Sequence, residues 1–201
     1  MKGKIAYCFD LDGTVTLQEI LPKIAQEVDL FEEIQLLTEA TLKGIIPFEK
    51  SFRLRCKLFS DIPITKVQKI ISHVVLDADI TNFIATHLKQ CFIITGNLDI
   101  WVAPLAQQLG CQFYTSKAEH QDNKFIRLSQ ILNKGEAVRS IRENFDYIIT
   151  IGDSMNDVPM FEEADIGIAY AGVHNPVGSL LDMSHYVVTN GKGLCQLLNT
   201  L

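Results

Sequence analysis

Apolar and polar positions follow two alternating rhythms along this chain. Short apolar runs ended by polar or turn-forming residues predict buried strands near 4–9, 91–95, 112–114, 147–151, 165–169 and 185–188. Between them, apolar residues at helical spacing predict helices near 79–88, 98–109, 134–143, 155–162 and 193–199. Ile80, Phe83, Ile84 and Leu88 form one such stripe. Trp101, Leu105 and Leu109 form another, with Gly110 placed as its C-cap. Pro104 fits that second helix only within its first turn. A hairpin turn is predicted at Asp122-Asn123, with Lys124-Phe125-Ile126 returning. Strands alternating with helices predict an α/β fold with a Rossmann-like parallel sheet, and ligands bind such sheets at their carboxyl edge.

Residues 16–76 break this alternation. They carry no clear strand pattern and read as helices near 17–28, 31–43, 48–60 and 64–74. Gly44 and Pro47, then Asp61-Ile62-Pro63, supply the stops and starts. The expected organisation is an α/β core of 1–15 and 77–201, with 16–76 as a small all-helical cap inserted after the first strand.

Composition narrows the class. A chain of 201 residues with 47% hydrophobic content can bury one substantial core plus a small insertion. A net charge of −6 without a Lys/Arg cluster argues against a nucleic-acid partner. The five cysteines (8, 56, 91, 111 and 195) are odd in number and widely spaced, without a CxxC pattern for zinc. They read as reduced, mostly buried thiols of a cytoplasmic protein, and Cys8 in the first strand reads as packing more than as a nucleophile. The N-terminal residues have no signal-peptide layout, and no apolar run approaches the roughly 20 residues that cross a bilayer. No membrane partner is expected, and the chain reads as a monomer or homodimer.

The chemistry concentrates at strand ends. Phe9-Asp10-Leu11-Asp12-Gly13-Thr14 places two carboxylates one residue apart where a buried strand finishes. Charge beside a core is costly unless paired, and a divalent cation would pair it. Alternate strand residues project to one side, so Asp10 and Asp12 can converge on a metal-and-phosphate site. An Asx-type turn accounts for either aspartate alone better than for both. The second strand ends in Thr95-Gly96-Asn97, where a hydroxyl and close-packed N–H groups can hold phosphate oxygens. Another strand runs into Gly152-Asp153-Ser154-Met155-Asn156-Asp157. Asn133 and Glu136 have capping-box spacing, which puts Lys134 in a first helical turn. A cation is disfavoured there unless an anion lies in front of it.

Together these four segments resemble the motifs of the haloacid dehalogenase superfamily of phosphatases: Asp10 to Thr14 the first, Thr95 the second, Lys134 the third, and Gly152-Asp153 through Asp157 the fourth. The resemblance implies an aspartyl-phosphate mechanism with Asp10 as nucleophile and Asp12 as general acid/base. It implies Mg²⁺ on Asp10, Asp153 and the Asp12 backbone carbonyl, phosphate held by Thr95 and Lys134, and Asp157 in support. Gly13, Gly96, Asn97 and Asn156 would shape the substrate pocket. The stretch from Gly44 to Arg55, continuing through Asp61-Ile62-Pro63, resembles the cap helix of the phosphoserine-phosphatase branch. On that resemblance Glu19 faces a substrate ammonium, Arg55 a substrate carboxylate, and Phe48 packs between them. Taken without the resemblance, Arg55 reads equally well as a snorkelling side chain on a helix seam. A zwitterionic amino acid does call for one group of each sign. Three departures stand out: Thr95-Gly96-Asn97 where the branch has Ser-Gly-Gly, Ser154-Met155 where it has small residues, and the loop Ala171–Pro176. A phosphotransferase, a phosphatase for another metabolite such as homoserine phosphate, and a non-catalytic regulator that binds a phosphometabolite remain as alternatives.

Overall fold

The computed structural model describes residues 3–42 and 45–201. The first strand, β1 (Ile5–Phe9), is buried on both faces because its side chains alternate between two cores. Tyr7 and Phe9 join one cluster, and Ala6 and Cys8 the other. Seven strands form one sheet: β1, β2 (Cys91–Leu98), β3 (Gln112–Gln121), β4 (Lys124–Gln130), β5 (Tyr147–Gly152), β6 (Ile166–Tyr170) and β7 (Tyr186–Val188). Their order is β4-β3-β2-β1-β5-β6-β7, parallel except for the β3–β4 hairpin. Because β1 pairs with both β2 and β5, the strand order switches direction around its carboxyl end, where a crevice opens.

Helices cover both faces. On one side lie α5 (Ala78–Thr86), α6 (Asp99–Leu109) and α10 (Gly191–Leu198), packed through Phe83, Trp101, Leu105 and Leu194. On the other lie α7 (Lys134–Arg142), α8 (Val158–Glu162) and α9 (Gly178–Leu181), packed through Val138, Ile141, Met160 and Leu180. Cys8, Cys56 and Cys91 are buried free thiols, and Cys111 and Cys195 are partly buried ones. Burial raises the Cys8 thiol far above its ordinary range, as befits a packing residue. Gly110 closes α6 in the left-handed conformation, as its spacing predicts.

Between β1 and α5 the chain forms α1 (Ile20–Gln26), α2 (Phe31–Leu42), α3 (Phe48–Leu58) and α4 (Ile64–Ile71). Its outgoing and returning segments pair through a bridge between Thr16 and Leu76 and through Leu17 N–H on the Val75 carbonyl at 2.9 Å. The buried face of α3, Phe52 and Cys56 with Phe59 just beyond, continues the main core, and Phe59 meets Trp101 edge-on at 5.7 Å.

Several predicted elements are corrected. The first helix starts at Ile20 and not near 17, because Thr16 and Leu17 are held in extended pairing. The stop expected at Lys43 and Gly44 lies outside the described residues. The stretch 155–162 splits into a tight turn at Met155–Asp157 and a short helix, because Ser154 and Asp157 cap each other reciprocally. β3 is much longer than 112–114, since pairing with β4 carries it on to an Asp122-Asn123 turn with positive φ at both residues. Helices α9, and α10 from Gly191, extend beyond what apolar spacing shows, the latter capped by Asn190. Pro104 lies in the second turn of α6, beyond the first turn that its ring geometry favours.

Candidate active site

The chain leaves β1 at Phe9 and turns through residues 11–15, closed by Thr16 N–H on the Leu11 carbonyl at 2.9 Å. Gly13 makes this turn possible. Its φ is +70°, and an ideal Cβ there would stand 2.9 Å from Asp153 Oδ2. Asp10 and Asp12 therefore sit on a tight loop and not on the strand itself, and each carboxylate has its own partners.

Asp10 is 3% exposed and accepts from Lys134 Nζ at 2.5 Å. The same ammonium donates to Asp157 Oδ1 at 2.6 Å. Lys134 opens α7 behind its cap Asn133, whose side chain accepts from Glu136 N–H, so the anion that its position calls for is present twice over. Burial alone would lower the Lys134 pKa, but Asp10 and Asp157 outweigh it and hold the lysine charged. Asp157 is fully buried, and its Oδ2 accepts from the Asp153 and Ser154 N–H groups at 3.0 and 2.9 Å, which shapes the loop that carries Asp153. Ser154 also donates through Oγ to Asn156 Oδ1, fixing that amide at the pocket wall.

Asp12 is held differently. Oδ1 accepts from Ile20 N–H at 2.9 Å, at the start of α1. Oδ2 accepts from Asn97 Nδ2 at 2.5 Å and lies 3.5 Å from Thr95 Oγ1. Asn97 is turned onto Asp12 and is 5% exposed. Its Oδ1 and the Thr14 hydroxyl are buried without a hydrogen-bond partner among the described residues.

The helical segment closes over these groups. An ideal Cβ on Gly96 would stand 3.2 Å from Phe48 Cζ, so only glycine leaves that ring its full room over the second motif. Phe48 stacks on Phe52 at 5.9 Å. Arg55 lies near enough for Glu19 and Asp12 to act on it electrostatically, while burial lowers its pKa. One guanidinium nitrogen donates to Thr38 Oγ1 at 3.0 Å, and Nε is buried without a partner among the described residues. Sequence periodicity gives no sign of Thr38, Ile20 N–H or His174. The last of these pairs with Glu19 at 3.1 Å and lies in the loop that departs from the family pattern.

The acidic groups outnumber their partner. Carboxylate oxygens of Asp10, Asp153 and Asp157 lie within 4.8 Å of one another, and Lys134 pairs with two of the three, Asp10 and Asp157. Burial, then the neighbouring Asp157 carboxylate, pushes Asp10 well above the usual carboxylate range. The same two causes push Asp153 up to about 7. Asp12 is pushed up to about 7 by burial and then by Glu19. An all-oxygen, over-charged cluster of this kind fits a hard divalent cation.

A family model described as haloacid dehalogenase-like hydrolase matches residues 8–162. A phosphoserine phosphatase of Methanocaldococcus jannaschii is 28% identical over 182 residues, covering 84% of this chain and 86% of its own. One of Lactococcus lactis is 26% identical over 189 residues, covering 85% of each. A substrate-bound phosphoserine phosphatase structure superposes with a TM-score of 0.82 at 25% identity, over 100% of this chain and 99% of its own.

Proposed function

Since the chain belongs to the haloacid dehalogenase-like hydrolase family and is an enzyme of that class, we propose that it is a Mg²⁺-dependent phosphomonoester hydrolase, with O-phosphoserine as substrate. The observation that carries this reading is the division of labour between two carboxylates one residue apart. Asp10 is tied to Lys134, and Asp12 to Ile20 N–H and Asn97. Paired acidic groups in separate environments serve separate tasks.

Asp10 attacks phosphorus, the seryl P–O bond breaks, and Asp12 gives its proton to the departing oxygen. Asp12 then takes a proton from the water that attacks the aspartyl-phosphate, which frees phosphate and restores Asp10. Lys134 offsets charge on Asp10 and on the equatorial oxygens, and Thr95 borders the same pocket. Asp10, Asp153 and the Asp12 carbonyl would hold Mg²⁺, which neutralises phosphate charge when bound. Asp157 holds the Asp153 loop and Lys134 in place. Residues 16–76 act as the cap over this site, with Arg55 facing the substrate carboxylate, Glu19 its ammonium and Phe48 between them. The names of the two curated relatives support the phosphoserine assignment.

The test is Asp10→Asn with its fold verified by circular dichroism, together with acid-quench trapping of phosphoenzyme in the parent. Loss of turnover and of the trapped species is expected. Retained Mg²⁺-dependent hydrolysis in the variant would refute Asp10 as nucleophile.

A further inference from the structure

Residues 171–176 follow β6 and return along the site, where Val177 N–H donates to the Asp153 carbonyl at 3.2 Å. This anchored loop brings His174 over the turn at Gly13. An ideal Cβ on Gly13 would stand 2.9 Å from Asp153 Oδ2, 3.1 Å from His174 Cδ2 and 3.5 Å from Glu19 Oε1. Imidazole, cap carboxylate and core carboxylate thus converge on one point beside Asp12. Oε1, the Glu19 oxygen facing that point, is the one that His174 Nε2 meets at 3.1 Å.

The proposed reading gives Glu19 the task of receiving a substrate ammonium, and the inference rests on that reading. This carboxylate already has a nitrogen partner, His174 Nε2. The two side chains are 47% and 40% exposed, so the pair is weak and open to exchange. An ammonium can displace His174, whereas a substrate lacking one leaves the pair intact. The exchange holds for the charged imidazole and for the neutral Nε2–H tautomer that a facing carboxylate selects, since Nε2–H donates in both. Arg55 binds Thr38 and lies outside this exchange.

We propose that His174 is a specificity-determining residue, occupying the Glu19 oxygen that an ammonium-bearing substrate would use and so narrowing the preference for amino-acid phosphates over ammonium-free phosphorylated carboxylic acids. The site then accepts both kinds of small phosphorylated acid, with selectivity set by competition and not by shape alone.

The experiment compares O-phosphoserine with 3-phosphohydroxypropionate, the same molecule without its ammonium. Each is measured as a substrate and as a competitive inhibitor of p-nitrophenyl phosphate hydrolysis, with Mg²⁺ present. In His174→Ala the ratio of inhibition constants shifts toward phosphoserine by about two- to fivefold, as removal of a weak internal competitor requires. His174→Gln keeps an N–H donor near the position of Nε2, on a more flexible side chain, and moves the ratio less. On a Glu19→Gln background, replacing His174 leaves the ratio unchanged. An unchanged ratio with Glu19 present, a shift toward the ammonium-free compound, or a shift that survives Glu19→Gln overturns the proposal. If both compounds compete but neither is hydrolysed, the phosphoserine reading fails and the ratio still decides the role of His174. If neither competes in any variant, both readings fall.

Discussion

Gln68 Nε2 donates to the Ile100 carbonyl at 2.8 Å, and that carbonyl is the one that Pro104 leaves without a helical partner. Proline at position 104 has no N–H to offer the residue four back. A side chain from α4, in the helical insertion, therefore supplies what a core helix lacks. The sequence rule that confines proline to a first turn holds only when no outside donor is at hand. Here the exception ties the two parts of the molecule together.

Gln68→Leu removes this donor and leaves a part-buried carbonyl unpaired. Unfolding in urea is expected to show a loss of about 1–3 kcal/mol. Pro104→Ala restores an N–H to the same carbonyl, so the double variant should recover most of that loss. Strictly additive effects would mean that the Gln68 contact does not serve the Ile100 carbonyl.

Asn97→Gly removes the amide that holds Asp12 at 2.5 Å while keeping the backbone of the second motif. Because Asp12 would then be held through Oδ1 by Ile20 N–H, with only the 3.5 Å Thr95 contact left on Oδ2, kcat should fall about tenfold, a part of the 10²–10⁴ that general acid–base catalysis supplies as a whole. KM should change little, since the Asn97 amide is buried and committed to Asp12. A raised KM at constant kcat would restore Asn97 to direct substrate binding.

Stability should report the cation through pH. Asp12 and Asp153 are both pushed up to about 7 and Asp10 is raised as well, so between about pH 4 and pH 7 the folded protein binds protons that the unfolded chain has lost. Native protons in excess make stability fall as pH rises through that window. Metal-free protein should thus show a declining Tm from pH 5 to pH 8, and saturating Mg²⁺ should flatten the decline by offsetting the carboxylates. A Tm that rises over this range without metal would contradict the crowded-carboxylate picture.

Arg55→Ala should lower kcat/KM for phosphoserine by about 1.5–3 kcal/mol, the range for a lost hydrogen bond to a charged group. Hydrolysis of p-nitrophenyl phosphate, which has no carboxylate, should change far less. Arg55→Lys should not rescue, because one ammonium cannot reproduce the planar fork that also reaches Thr38. Equal losses on both substrates would assign Arg55 to cap packing.

What the sequence determined by itself are the features whose causes are local. Three of the four motifs are visible because each combines a short apolar run or a helix cap with a charge that burial would make costly, and Thr95-Gly96-Asn97 is visible as a hydroxyl and a glycine ending an apolar run. The alternation of such runs with helical stripes specifies a parallel α/β sheet, and the long strand-free interval specifies the helical insertion. Asp122-Asn123 declares its turn through residues that tolerate positive φ. The tertiary structure alone decided how distant groups complete one another. Asn123, 58 positions from Thr65, caps α4 through its carbonyl on Ile64 N–H and its side chain on Thr65, where Pro63 cannot. Asn97 turns to Asp12, Gln68 finds Ile100, and His174 takes Glu19. None of these pairs has a periodicity or a spacing to announce it. Each exists because packing the sheet, its helices and the insertion brings a donor and an acceptor from distant positions together, and where the group is buried, as at Asn97, it must find such a partner.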